Sequence, residues 1–207
     1  MRDAVNRLTP LGVMLLALLR EGDMHPYEMI RLLRQRHEDR LVTVTNGTVY
    51  HTVGRLARCE LLTEVGIDRA GNRPERTTYT LTDRGRDAVT DWVRRELARI
   101  DRPGEFRVAL AEAHNLPREE VVRLLTTRRA ALRADHATHR DGLAKARLRE
   151  VPEQYLIEVD RQATLLDAEL RWTERLLARL TGAGLEWGPP GGPATDRGAA
   201  HREAVQP

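Results

Sequence analysis

The run "LGVMLLALL" at Leu11–Leu19 constrains this chain more than any other stretch. It carries no polar side chain on any side, so a helix built from it is apolar all round and must be enclosed by other elements. It falls far below the roughly 20 residues a helix needs to cross a bilayer. Arg2 and Arg7 precede it in the manner of a signal peptide, but "REGDM" follows, with no small-residue cleavage site. Thr9-Pro10 reads as an N-cap and first helical position. The run predicts the central helix of a cytoplasmic protein.

What encloses it can be read onward. A second helix runs from about Pro26 to Arg36, with Met29, Ile30, Leu32 and Leu33 on one face and Arg31, Arg34, Gln35 and Arg36 on another. The link His37–Asn46 includes a β-prone run, Leu41–Thr45, and a third helix starts after Asn46. From Leu62 apolar residues roughly alternate through Val65 and Ile67. "AGNRPE" (Ala70–Glu75) reads as a turn, and "RTTYTLT" (Arg76–Thr82) is rich in β-formers. These segments predict a hairpin with a basic tip. A helix from Asp83 to about Arg99, capped by Thr82 or Asp83, follows. Three helices and then a two-stranded hairpin is the winged helix-turn-helix plan.

The second half reads as helical. A helix opens at Leu116-Pro117 and extends to about Arg149, with Val121, Leu125, Leu132, His139 and Leu143 mostly on one side; Val151-Pro152 breaks it. In the last helix, Glu153 to about Leu180, the residues Leu156, Val159, Ala163, Leu166, Leu170, Thr173, Leu177 and Leu180 keep a 3,4 spacing. That is a coiled-coil seam. Leu165, Trp172 and Leu176 widen it. One seam can pack on the long helix of the same chain, and the extra flank invites a second chain. The expected dimer contacts are Leu156, Val159, Ala163, Leu166, Leu170, Trp172 and Leu177. From Gly182 the Gly/Pro-rich tail has almost no aliphatic residue and is expected to be disordered. The expected fold is mainly α with a small β-hairpin. Its parts are a winged-helix domain over 1–100, a helical, antiparallel coiled-coil dimerisation domain over 101–181, and a tail over 182–207.

Composition agrees with a helical protein: 31% of the residues are charged, 41% hydrophobic and 4% aromatic. Residues 1–100 hold 17 basic and 14 acidic residues, whereas the remainder holds 17 of each, so the first half carries the whole net charge of +3. A basic half beside a neutral one hints at a polyanion partner. The single cysteine, Cys59, fits a reducing compartment and reads as a structural thiol.

The third helix is where chemistry concentrates. Val49, Val53 and Leu56 share its inner face; Thr48, His51, Thr52, Arg55 and Arg58 lie on or near the other, and Tyr50, Gly54 and Ala57 form a third strip. Arginine, threonine and histidine are residue types that read bases and phosphates. Asn46, Gly47 and Thr48 put backbone N–H groups at a helix start, a natural phosphate seat. A merely solvated face has the same pattern, and the residues alone do not separate the two readings. The role of Tyr50 stays open: its strip borders core and outer face. At the hairpin, Arg69, Arg73 and Arg76 surround Asn72; such a tip reaches backbone or minor groove in a winged helix, or is simply solvated. Tyr27, at the start of the second helix, is a further phosphate contact.

Other sites weigh less. Asp135, His136 and His139 stand at helical spacing, but no second set closes a shell, so no metal and no cofactor is expected. There is no P-loop, no G-x-S-x-G and no H-E-x-x-H, and no enzyme is expected. Trp92, late in the fourth helix, reads first as an anchor where the halves meet.

"LTPLGVMLLALLREGDMHPYEMIRLL", "NGTVYHTVGRLARCELLTE" and "RPERTTYTLTDRGRDAV", in that order, resemble the N-terminal domain of PadR-family transcriptional regulators. The resemblance rests on Gly47-Thr48, Tyr50, Leu56, Leu61-Leu62 and the run Tyr79–Arg86. "EFRVALAEAHNLPREEVVRLLTTRRAAL" and the last helix resemble the extension of larger, virulence-activator-like members. The resemblance implies a transcriptional regulator, a repressor in our reading. It would bind a palindromic operator in double-stranded DNA as a homodimer through the recognition helix 47–58 and the wing 69–76. The DNA-contacting set is then Tyr27, Asn46, Gly47, Thr48, Tyr50, His51, Thr52, Arg55, Arg69, Asn72, Arg73 and Arg76. It also implies a small-molecule effector, with Trp92, Phe106 and Trp172 as candidate pocket residues. The competing class is a winged-helix protein–protein interaction module that reads no DNA.

Overall fold

The computed structural model describes residues 8–68, 76–182 and 184–188. Helix α1 spans Pro10–Leu18 and α2 Pro26–Gln35; a 3-10 turn at Glu38–Arg40 leads to α3, Asn46–Arg58. Strands β1, Leu62–Asp68, and β2, Arg76–Leu81, pair antiparallel from Leu62↔Leu81 to Asp68↔Arg76, with an irregularity between Glu64 and Gly66. Then come α4, Asp83–Ala98; α5, Pro103–Ala111; the long α6, Arg118–Leu148; and α7, Ile157–Thr181. The winged-helix order holds. Three details differ from the sequence reading. Leu41–Thr45 forms no strand, and Met24 bridges Tyr79 instead, with paired N–H···O bonds of 3.0 and 3.1 Å. Pro103–Ala111 is a separate helix. Trp187 is docked, its indole N–H donating to the Leu116 carbonyl at 3.0 Å.

The apolar run sits where its composition demands. Leu11 through Leu18 are all buried; α3, α4 and α5 pack against them, and Met29, Ile30 and Leu33 of α2 join the same core cluster. Thr9 caps α1 by accepting the Gly12 N–H at 3.2 Å, and Pro10 takes the first turn, where a missing N–H is harmless. Each buried aliphatic side chain here contributes about 1.5–3 kcal/mol. The core is continuous across residue 100: Trp92, Val93 and Leu97 join Phe106, Val108, Leu116, Val121 and Leu125 in one cluster with the α1 residues.

Helices α6 and α7 form an antiparallel hairpin. Leu156, Ala163, Leu166, Leu170, Thr173, Leu177 and Leu180 are buried, and Val159 half-buried, along the face toward α6. The seam is therefore engaged within one chain, which corrects its assignment as the contact between chains. What remains outward is its flank, where Ile157 is 67% exposed, Leu165 46%, and Trp172 and Leu176 half-buried. Arg118 ties the hairpin's two ends, donating to the carbonyls of Leu180 and Gly182 at 2.5 Å each. Midway, Arg128 is fully buried. Its guanidinium lies 3.5 Å from the Phe106 ring centroid and pairs with Glu169.

The wing root is stitched to the end of α3. Glu60 takes a left-handed conformation, φ 58°, and the Leu61 N–H returns to the Leu56 carbonyl. The Thr82 hydroxyl donates to the Glu60 carbonyl at 2.8 Å and accepts the Gly85 N–H at 3.0 Å. Gly85 lets α4 approach this junction: a Cβ there would stand 2.0 Å from the Leu61 oxygen and 2.6 Å from Leu81 Cδ1. Gly85→Ala is expected to cost about 3 kcal/mol in urea unfolding. Gly104→Ala, with nothing within 4 Å, is expected to change stability by less than about 1 kcal/mol.

Candidate nucleic-acid interface

Helix α3 is held on its inner side by Val49, Val53 and Leu56, all at most 2% exposed. Thr45 starts it with a capping box: its hydroxyl accepts the Thr48 N–H at 3.1 Å, while the Thr48 hydroxyl accepts the Thr45 N–H at 3.0 Å. Thr48 is exposed, but its amide and hydroxyl are both committed to the cap. The phosphate seat thus reduces to Asn46 and Gly47, both exposed, and nothing lies within 4 Å of the place a Gly47 Cβ would occupy. Such an unobstructed first turn admits an anion close to the backbone.

The outward face is not the one inferred from polarity. Thr52 is 7% exposed and donates its hydroxyl to the Thr48 carbonyl at 2.7 Å, so it is a core residue and not a reader. Arg55 is half-buried; its Nη2 donates to Thr9 Oγ1 at 3.1 Å, which turns the guanidinium back onto the α1 cap. The uncovered stripe consists of Gly47, Tyr50, His51, half-buried Gly54 and Arg58, spaced i, i+3, i+4, i+7 and i+11. Among the described residues His51 and Arg58 form no hydrogen bond or ion pair. Arg58 was legible as an exposed arginine, yet the polarity argument left it out of the contacting set. A shallow depression of about 500 Å³ extends from Thr48 and His51 toward Thr43 and Gly104.

An aromatic group borders this stripe. His25 N-caps α2 by accepting the Tyr27 N–H on Nδ1 at 3.1 Å, and its ring meets Tyr50 edge-on, with centroids 6.1 Å apart. Tyr27 is 60% exposed and Tyr50 48%. The Tyr50 ring leans on His25 rather than entering the core. Tyr79, on β2 opposite Glu64, is also close; burial, then the Glu64 carboxylate, raises its hydroxyl pKa. The start of α2, α3 and the base of the wing therefore share one surface. Arg69, Asn72 and Arg73 lie outside the described residues. Arg76 begins β2 as the partner of Asp68.

The proposed pocket aromatics divide. Trp92 is 1% exposed and donates its indole N–H to the Leu8 carbonyl at 3.2 Å, so it fills the core where α4 meets α1 and offers no lining. Phe106 and Trp172 do come together, edge to face with centroids 6.4 Å apart. No group of three His, Cys, Asp or Glu side chains among the described residues could hold a metal ion, and no described helix is long and apolar enough to cross a membrane.

Residues 15–91 match the family model described as the transcriptional regulator PadR-like family. The solved structures similar to the chain include Bacillus subtilis PadR in complex with operator DNA: 20% identity, 82% of this chain and 98% of that one, TM-score 0.38. Bacillus subtilis PadR in complex with p-coumaric acid is 18% identical over 85% and 98%, TM-score 0.36. A Streptococcus mutans UA159 protein is 15% identical over 81% and 98%, TM-score 0.38. No curated protein sequence matches.

The Arg55–Thr9 bond joins α3 to the cap of α1, and its coupling is measurable. A double-mutant cycle of Thr9→Val and Arg55→Ala in chemical unfolding is expected to give a coupling of about 0.5–1.5 kcal/mol.

Proposed function

From a chain whose residues 15–91 form a PadR-like regulator domain, we propose a DNA-binding transcriptional repressor that sits on a palindromic operator as a homodimer. The observation that carries this is the stripe Gly47, Tyr50, His51, Gly54 and Arg58: polar, basic, uncovered, and on a helix whose opposite face is locked into the core. In this reading α3 enters the major groove. His51 and Arg58 face base edges or phosphates, Asn46 and Gly47 seat a phosphate at the helix start, and Tyr27 and Tyr50 offer hydroxyls to the flanking backbone. The wing, with Arg69, Asn72, Arg73 and Arg76, follows the adjacent strand. Thr52 has no part, and Arg55 acts by orienting α3.

Two such domains about 34–36 Å apart would read two half-sites. We assign the pairing to the outer flank of α7, Ile157, Leu165, Trp172 and Leu176, because the seam itself is covered by α6. An effector changing the hairpin's position would change the spacing of the two reading helices. Of the aromatic residues considered for it, Trp172 alone keeps an open side. Blocking by steric occupation needs no polymerase contact, which favours repression over activation.

Fluorescence anisotropy with duplexes tiling the DNA beside its own gene, at several salt concentrations, tests the reading. Binding that weakens with salt is expected, with Arg58→Ala lowering the salt slope by about 1 and His51→Ala relaxing base preference at one position by about 1–3 kcal/mol. Failure to bind any duplex leaves the protein–protein module as the better account. For assembly, sedimentation at micromolar concentration is expected to show a dimer that Leu165→Glu converts to a monomer; a wild-type monomer sinks the dimer assignment.

A further inference from the structure

The α6–α7 hairpin has a gap in its apolar seam. Leu132, Leu166 and Leu170 form one cluster, and Leu143, Leu156 and Ala163 another. Between them α6 presents half-buried His136 and His139 in place of aliphatic residues. A cleft of about 460 Å³ opens beside this break, far from α3 and the wing. Leu143 and Ala163, both 4% exposed, form its floor, and small Ala144 and Thr164 leave its mouth wide. That volume suits a small organic molecule.

The charges around the cleft are unevenly committed. Arg147 bridges across it, Nε to Glu153 at 3.0 Å and Nη2 to Asp160 at 3.3 Å. Asp167 is held by Arg171 at 2.5 Å. His139 takes a contact on its own helix, Nδ1 to the Asp135 carbonyl at 2.9 Å. Arg140 and His136 form no hydrogen bond or ion pair among the described residues, although both line the cleft. A guanidinium and an imidazole therefore stand ready on the α6 wall; opposite, the Thr164 hydroxyl donates to the Asp160 carbonyl at 2.9 Å and keeps its oxygen as an acceptor, and the Asp160 carboxylate already holds Arg147.

We propose that this cleft binds a small hydroxylated organic anion. Its carboxylate or phosphate would lie against Arg140 and His136, a charge-assisted arrangement suited to the planar fork of arginine. Its hydroxyls would face Thr164 and Asp160, and its carbon skeleton the Leu143–Ala163 floor. The occupant bridges α6 and α7 at a place where their apolar packing is interrupted. The site is separate from the Phe106–Trp172 pair, and the proposal does not rest on the DNA reading.

Calorimetric titration of the full chain with ribose 5-phosphate and with citrate, in sodium chloride at physiological strength, tests this directly. Saturable binding of at least one probe with Kd below about 1 mM is expected. Arg140→Ala is expected to weaken it about tenfold or more, the loss of one charge-assisted contact. Ala144→Leu, which fills the mouth without altering charge, is expected to do the same. Arg175→Ala, on an exposed part of α7, leaves binding unchanged, and circular dichroism verifies that the variants fold. Overturning results are absence of saturable binding by both probes, equal weakening in Arg175→Ala, or unchanged binding in Ala144→Leu. Protection of a thiol placed by Ala144→Cys in a dimer, with no probe binding, means a second copy covers the cleft and equally overturns the proposal.

Discussion

The arrangement of the first five helices follows from the need to cover α1 on all sides. A helix with no polar face cannot lie at a surface, so α3, α4 and α5 pack against it, α2 completes the same core, and their inner faces are fixed by that duty. The outward stripe of α3 is what is left once Val49, Val53, Leu56 and Thr52 have been committed inward. The Thr9 hydroxyl caps α1 and receives Arg55, which adds a directional tie to the apolar contacts of α3. The uncovered stripe and the core are thus two sides of one packing decision.

Much of this was legible in the sequence because strong local signals agreed with the tertiary outcome. The apolar run, the Thr9-Pro10 start, the β-formers either side of "AGNRPE" and the Thr82 cap all gave elements where the structure has them. The face of α3 was less legible. Polarity taken as exposure places Thr52 and Arg55 on the outside, although at about 100° per residue Thr52 borders the Val49–Val53–Leu56 face. A threonine, however, can satisfy its hydroxyl on the carbonyl four residues earlier and be buried, and an arginine can reach back along its own stem. Both happen here. The uncovered stripe, shifted toward Tyr50 and Arg58, follows from helical position: Gly47, His51, Gly54 and Arg58 lie opposite Val49, Val53 and Leu56. In α7 a 3,4 repeat states that a partner helix exists, not which chain supplies it.

Arg128 shows how a charge can enforce a unique arrangement inside an otherwise apolar hairpin. Its desolvation is offset by the Phe106 ring, by Glu169 and by little else, since Nε and Nη1 have no partner among the described groups. Sliding α6 by a turn along α7 would separate the pair and leave the guanidinium without its carboxylate. An aliphatic residue at that position would tolerate the slip. The interaction thus favours one register of the helices that carry the proposed dimer flank, and the register in turn determines where the seam gap falls.

The three tryptophans report on three separate places. Trp92 is sealed against α1, half-buried Trp172 packs from α7 onto Phe106, and Trp187 is held by the Leu116 carbonyl where α6 begins. With only three indoles in the chain, intrinsic emission can be assigned by single replacements with phenylalanine. The protein therefore carries its own optical probes, one for the integrity of the core, one for whatever meets the α7 flank and one for the junction between the two halves.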